Sequence, residues 1–169
     1  TRTASIEGNT TMDTAATLQR LLDLEEIKTL KHRYIRYMTH SLWDELEAIL
    51  APDIEASYSD GKYTFSGRDS LMAFLRGAHD AATTQVLGFW HVTMPEIDFR
   101  SADEAHGIWA MYHFYLDKNE LQQLEMFAYY DDVYRRIDGR WLLARTGYRR
   151  VMEQTLDRRS VAGLQLQVG

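Results

Sequence analysis

Tyr34, His91 and His113 are the side chains whose chemistry and placement stand out in this sequence. Tyr34 lies in "LKHRYIRYM", on the helical face it shares with Leu30, Tyr37 and Met38. A phenol with a pKa of about 10 is neutral at pH 7 and donates well to a ketone or enolate oxygen. His91 lies in "FWHVT"; in a strand it alternates with Phe89 and Thr93, so the three share one face. If that face is interior, an imidazole with a pKa of about 6.5 is the natural proton acceptor. His113 would share a strand face with Trp109, Met111 and Tyr115. Two neighbouring imidazoles would not both be charged at neutral pH, which leaves one neutral base and one protonated acid. Read alone, each of these groups also fits a buried polar side chain satisfied by one partner.

Other chemistries find little here. There is no cysteine, hence no thiol nucleophile, thiolate metal site or disulfide framework. HExxH, GxGxxG, P-loop and GxSxG patterns are absent, and the histidines lack metal-ligand spacing, so no metal site is expected. The formal net charge of −6 and the lack of a basic run speak against nucleic acid or anionic membranes as partners. No apolar run reaches transmembrane length and no signal-peptide core precedes the first helix, so a cytoplasmic location is expected.

The elements that must position these groups are legible. Residues 1–14 are small and polar and read as a disordered arm, 15–157 as one domain, and 158–169 as a C-terminal tail. "AATLQRLLDLEEIKTLKHRYIRYM" carries Leu18, Leu21, Leu22, Ile27, Leu30 and Tyr34 at helical spacing. "SLWDELEAIL" predicts a second helix capped by Ser41 and stopped by Pro52. "IEASY" and "KYTFS" flank the turn "SDG", and "GRDSLMAFLRGAH" predicts a third helix. Four long aromatic, β-branched segments then follow with short turns between them, which predicts an antiparallel meander. Within the third, one of Asp131 and Asp132 is expected to face solvent and the other to pair with Arg136 or Arg149. Helices followed by long antiparallel strands make an α+β layout, with the curved sheet wrapped around helices as a cone with an internal pocket.

The ordered set "LEEIKTLKHRYIRY…LWDELEAILAPDIEASYSDGKYTFSG", "FWHVTMPEIDF" and "YRRIDGRWLLARTGYRRV" resembles the SnoaL-like members of the nuclear-transport-factor-like cone fold. Within them it is most similar to the bile-acid 7α-dehydratases, and more distantly to scytalone dehydratase and the lindane dehydrochlorinase. The resemblance implies a homotrimer, no cofactor, and elimination of water or acid by side chains alone. It implies Tyr34, His91, His113 and Arg150 as the catalytic set, with Arg149 the alternative to Arg150. Thr39 stands where the family carries an aspartate. Tyr37, Met38, Thr39, Phe89, Trp109, Met111 and Tyr129 are expected to bind the substrate. The function implied is a cofactor-independent dehydratase for a hydrophobic, polycyclic, steroid- or bile-acid-like hydroxy-ketone, in one form as a coenzyme A thioester. The alternatives are a ligand-binding protein with a decayed site, a ketosteroid isomerase or a polyketide cyclase.

Overall fold

The structure is a computed structural model that describes residues 14–167. The arm expected over 1–14 therefore lies, but for Thr14, outside the described residues. Helix α1 (Thr14–Thr39) buries Asp23, Ile27, Leu30, Lys31, Tyr34 and Met38, a stripe of three- and four-residue steps. The stripe starts only at Asp23, so Leu18, Leu21 and Leu22, expected in the core, are more than half exposed.

The second helix is shorter than the sequence predicts. It spans α2 (Trp43–Glu47), and strand β1 (Leu50–Tyr58) begins three residues later. Pro52 therefore sits in a strand, within the register shift between Leu50 and Glu55, where its missing N–H costs no ladder bond. Ser41 is not the cap; it takes a left-handed φ of 54° and its Oγ accepts from the Ala81 N–H. Strand β2 (Tyr63–Ser66) returns against β1, and α3 (Arg68–His79) follows. The turn between β1 and β2 holds Ser59, Asp60 and Gly61 all at positive φ.

Four long strands complete the fold: β3 (Val86–Phe99), β4 (Glu104–Asp117), β5 (Gln122–Ile137) and β6 (Arg140–Asp157). They form the predicted antiparallel meander, and β6 then pairs parallel with β1, giving one sheet in the order β2-β1-β6-β5-β4-β3. The parallel pairing needs close approach: a Cβ on Gly147 would collide with the Ser57 carbonyl oxygen opposite it. Register shifts in β3–β4 after Thr93 and in β5–β6 after Phe127 and Val133 bend the long strands. The bent sheet wraps its inner face around α1 and α3, the α+β cone the sequence predicts. Among the described residues no helix is long and apolar enough to cross a membrane.

Strand parity sorts every residue to one of two faces. Asp132, opposite Gly107, points inward and is fully buried; it meets Lys31 of α1 at 2.7 Å and accepts from Tyr134 and Thr146 at 2.8 Å each. Asp131 points outward to Arg145 and His106, at 2.9 Å each. This corrects the expected pairing with Arg136 or Arg149. Arg136 instead binds Asp23 at 2.6 Å. Burial raises the Asp23 pKa, but hydrogen bonds led by Arg136 outweigh it and hold the carboxyl below its ordinary range.

Candidate functional site

The mouth of the cone opens into a cavity of about 410 Å³ with mostly apolar walls. Helix α1 contributes Tyr34 and Met38; β1 contributes Tyr58; α3 contributes Phe74 and His79. Strands β3 and β4 bring Trp90, His113 and Tyr115, and β5 and β6 bring Met126, Tyr130, Tyr148 and Glu153. The volume falls within the range typical of small-molecule sites.

Two polar groupings line this space. On one side the Tyr34 and Tyr58 hydroxyls lie 3.2 Å apart, and Ser59 Oγ lies 3.1 Å from the Tyr148 hydroxyl. Burial raises the pKa of Tyr34 and Tyr58, so both phenols are neutral donors at physiological pH. On the other side the Trp90 indole stacks on the His113 imidazole, centroids 4.5 Å apart and planes within 9°, while His79 packs edge-on against Trp90 at 5.0 Å. Burial, and secondarily the nearby His79, lowers the His113 pKa to about 3; burial lowers that of His79 to about 4. Both rings are neutral at pH 7. His113 Nε2 and His79 Nδ1 are buried with no hydrogen-bond partner among the described residues. A neutral imidazole with a free nitrogen can accept a proton or a hydrogen bond.

Beneath the cavity lies the Lys31–Asp132 pair. The Lys31 ammonium sits 3.4 Å from the Tyr130 ring centroid and 4.9 Å from that of Tyr34. Burial lowers its pKa and Asp132 opposes the shift. Among the described residues there is no cluster of three or more His, Asp or Glu able to hold a metal ion.

The structure brings Tyr34, Met38 and His113 together in the cavity, and the other residues singled out from the sequence lie elsewhere. His91 pairs with Tyr112 on the outer face because Trp90, opposite His113, holds the inward position. Phe89, two residues away, shares that outer face and is 54% exposed. Tyr129 is outward too, opposite Arg149, and half exposed. Trp109 is wholly buried in the core, where its Nε1 donates to Tyr134, and Met111 is core as well. Tyr37 lines a different groove with Leu30, Arg33 and Trp141. Thr39 turns its hydroxyl back onto the Ile35 carbonyl at 2.9 Å and does not line the cavity. Arg150 does not line the cavity; it pairs with Glu153, which does, at 2.9 Å and with Asp60 at 3.5 Å.

Tyr58, Tyr148, His79 and Trp90 were missed. Signals existed for two of them. His79 continues the buried stripe Met72 and Leu75 by four residues, and Trp90 has the parity of the apolar Val92. Nothing local marks Tyr58 and Tyr148 as a pair; their rings meet at 5.7 Å only because β1 lies beside β6.

Known structures place this architecture. A candidate scytalone dehydratase from Novosphingobium aromaticivorans superposes with a TM-score of 0.74 at 24% identity, covering 82% of this chain and 90% of its own. The hexachlorocyclohexane dehydrochlorinase LinA-type3 from Novosphingobium barchaimii gives 0.76 at 20% identity, covering 90% and 99%. A dehydratase candidate of the NTF2-like family from Streptomyces avermitilis gives 0.67 at 14%, covering 79% and 99%. At these identities the likeness establishes the fold. Residues 19–147 match the SnoaL-like domain over most of the chain, and the protein belongs to that family.

Proposed function

We propose that this protein is a cofactor-independent hydro-lyase acting on a hydrophobic, polycyclic hydroxy-ketone. The observation that carries the reading is that a neutral, partner-free imidazole and a neutral phenol pair line one apolar cavity. Tyr34 and Tyr58 would donate to the ketone oxygen, where negative charge grows as an enolate forms. His113 would remove the proton from the carbon next to the carbonyl. The enolate would then expel the hydroxyl from the β-carbon, and the proton held on His113 would pass to that oxygen. One C–H and one C–O bond break, a C=C bond forms, and water leaves. The apolar walls suit ring systems, steroid-like ones included. The test is the ultraviolet change of a new conjugated double bond, followed over a panel of hydroxy-ketones. His113→Gln and Tyr34→Phe should each slow it; wild-type inactivity over the whole panel removes the reading.

A second reading has its own observation. A histidine with a pKa of about 3 is a weak base, so the cavity also suits a binding protein with little turnover. Ligand affinity without any dehydration would establish it.

We further read the outer face of the sheet as the contact surface of a homotrimer. Phe89, Tyr129, Val151 and Met152 are each about half exposed or more on or beside one face. Arg149 flanks them on the same face as Glu125 and Asp131, so a rotated copy would meet charges of opposite sign. Sedimentation at micromolar concentration should give three times the 19.7 kDa monomer mass; a monomer would refute it.

A further inference from the structure

We propose that the cavity selects uncharged ligands: its hydroxyls serve a neutral carbonyl, and Glu153 turns carboxylates away. That the carbonyl belongs to a hydroxy-ketone rests on the lyase reading; the selection by charge rests on the cavity walls alone.

Among the described residues that line the cavity, Glu153 is the one side chain charged at pH 7. The His79 and His113 rings are neutral there, and the tyrosine and serine hydroxyls and the Trp90 indole carry no charge. Three cations touch lining residues, and none is free to serve a ligand anion. Lys31 is fully buried against the Tyr130 ring and neutralised by Asp132 at 2.7 Å. Arg150 bonds Glu153 at 2.9 Å and Asp60 at 3.5 Å, so two carboxylates share one guanidinium. Lys62, 5.1 Å from the Tyr63 ring centroid, is exposed, and water screens it.

The hydroxyl pairs suit a carbonyl better than a carboxylate. Tyr34 and Tyr58 have one hydroxyl hydrogen each; their mutual bond at 3.2 Å uses one of the two and leaves the other for a ligand. Ser59 and Tyr148, 3.1 Å apart, likewise keep one. A neutral carbonyl oxygen is satisfied by one or two such donors. A carboxylate brings about four acceptor sites and a full charge. On entry it gives up a strong hydration shell and meets no cation in return. Glu153 adds repulsion; its side chain is 28% exposed, so salt weakens that part. The enolate of the proposed reaction never makes this crossing, because it forms inside and loses its charge as the hydroxyl leaves.

The test uses the full chain at pH 7 and two probes of nearly one shape, 2-acetylnaphthalene and 2-naphthoate, which differ chiefly in charge. Wild type should bind the ketone at least about tenfold more tightly than the carboxylate. Glu153→Gln removes the repelling charge and leaves Arg150 with Asp60 alone. It should raise carboxylate affinity about fivefold and change that of the ketone by less than about twofold. Added salt should narrow the gap in wild type more than in Glu153→Gln. A wild type that binds the carboxylate as tightly as the ketone, or binds neither, overturns the proposal. So does a Glu153→Gln protein, folded by circular dichroism, whose carboxylate affinity matches wild type. Ketone-selective binding without turnover of any hydroxy-ketone would instead sink the lyase reading and leave the charge selection standing. Turnover confined to hydroxy-ketones that carry a carboxylate would do the reverse.

Discussion

The two faces of strands β3 to β6 carry nearly the same residue types and have opposite characters. Inward lie Trp90, His113, Tyr130 and Asp132; outward, one residue away each, lie His91, Tyr112, Tyr129 and Asp131. The inner histidine is buried, neutral and unpartnered, whereas the outer one is exposed. The inner aspartate is sealed in the core on a lysine; the outer one is shared between a surface arginine and a histidine. Chemistry here is decided by parity, because one residue of register moves a side chain from the apolar cone to water.

The adjacent aspartates offer the largest contrast. Removing one partner of a wholly buried pair strands a charge, at a cost of about 3–5 kcal/mol. Lys31→Met leaves Asp132 with only Tyr134 and Thr146, and should lose that much stability by urea unfolding. Asp131→Asn should lose less than about 1 kcal/mol, since its partners are solvated. Equal losses would mean that parity does not govern the energetics of these strands.

Next comes turnover. His113→Gln should reduce the rate on a confirmed substrate by about 100-fold or more while the fold persists. Tyr58→Phe should cost roughly tenfold, because Tyr34 keeps one donor in place. A Tyr58→Phe loss as large as that of His113 would make the phenol pair the dominant element.

The histidines also set a pH window. Their folded pKa values, about 3 for His113 and about 4 for His79, lie below the ordinary 6.5. Below pH 6.5 the unfolded chain takes up protons that the folded chain refuses. Stability is therefore complete above that point and falls as pH drops toward 4. For His113 alone the loss reaches about 2 kcal/mol at pH 5. Carboxylates with depressed values, such as Asp23, lose their contribution only at still lower pH, so the two effects separate. Unfolding measured at pH 7 and pH 5 should show the decline, and His113→Leu should reduce it; a flat profile would mean that solvent reaches both rings.

The fold was largely legible because its cues are local: helical spacing from Ile27 to Met38, short turns between long aromatic strands, and a hairpin at "SDG". The site was less legible because its cues are relational. "FWHVT" presents a histidine and a tryptophan side by side, and a single strand cannot say which of two alternating sets faces in. Only the packing of the sheet settles it, which buries Trp90 and His113, with Trp90 against His79 of α3, and leaves His91 exposed. The Lys31–Asp132 bond likewise joins a helix to a strand a hundred residues later, and nothing near Lys31 in "TLKHRY" distinguishes it from a solvated lysine.

The smallest expected effect falls on His91, and it tests the comparison most directly. The sequence offers His91 as the base, between Trp90 and Val92 and ahead of "PEI", and the sheet turns it outward beside Tyr112. It borders an outer groove with Thr93, Phe127 and Tyr129, separated by the full thickness of the sheet from Tyr34 and Tyr58. A proton cannot pass between an imidazole there and a ligand in the cone. His91→Ala should therefore change kcat/KM by less than about twofold and stability by less than about 0.5 kcal/mol, as surface substitutions do. If three copies assemble through this face, its effect appears in sedimentation as a weaker trimer. A fall in kcat of His113 size, with the oligomer intact, would mean that β3 presents the other set of residues to the cavity, and with it the assignment of Trp90 and His113 would be lost.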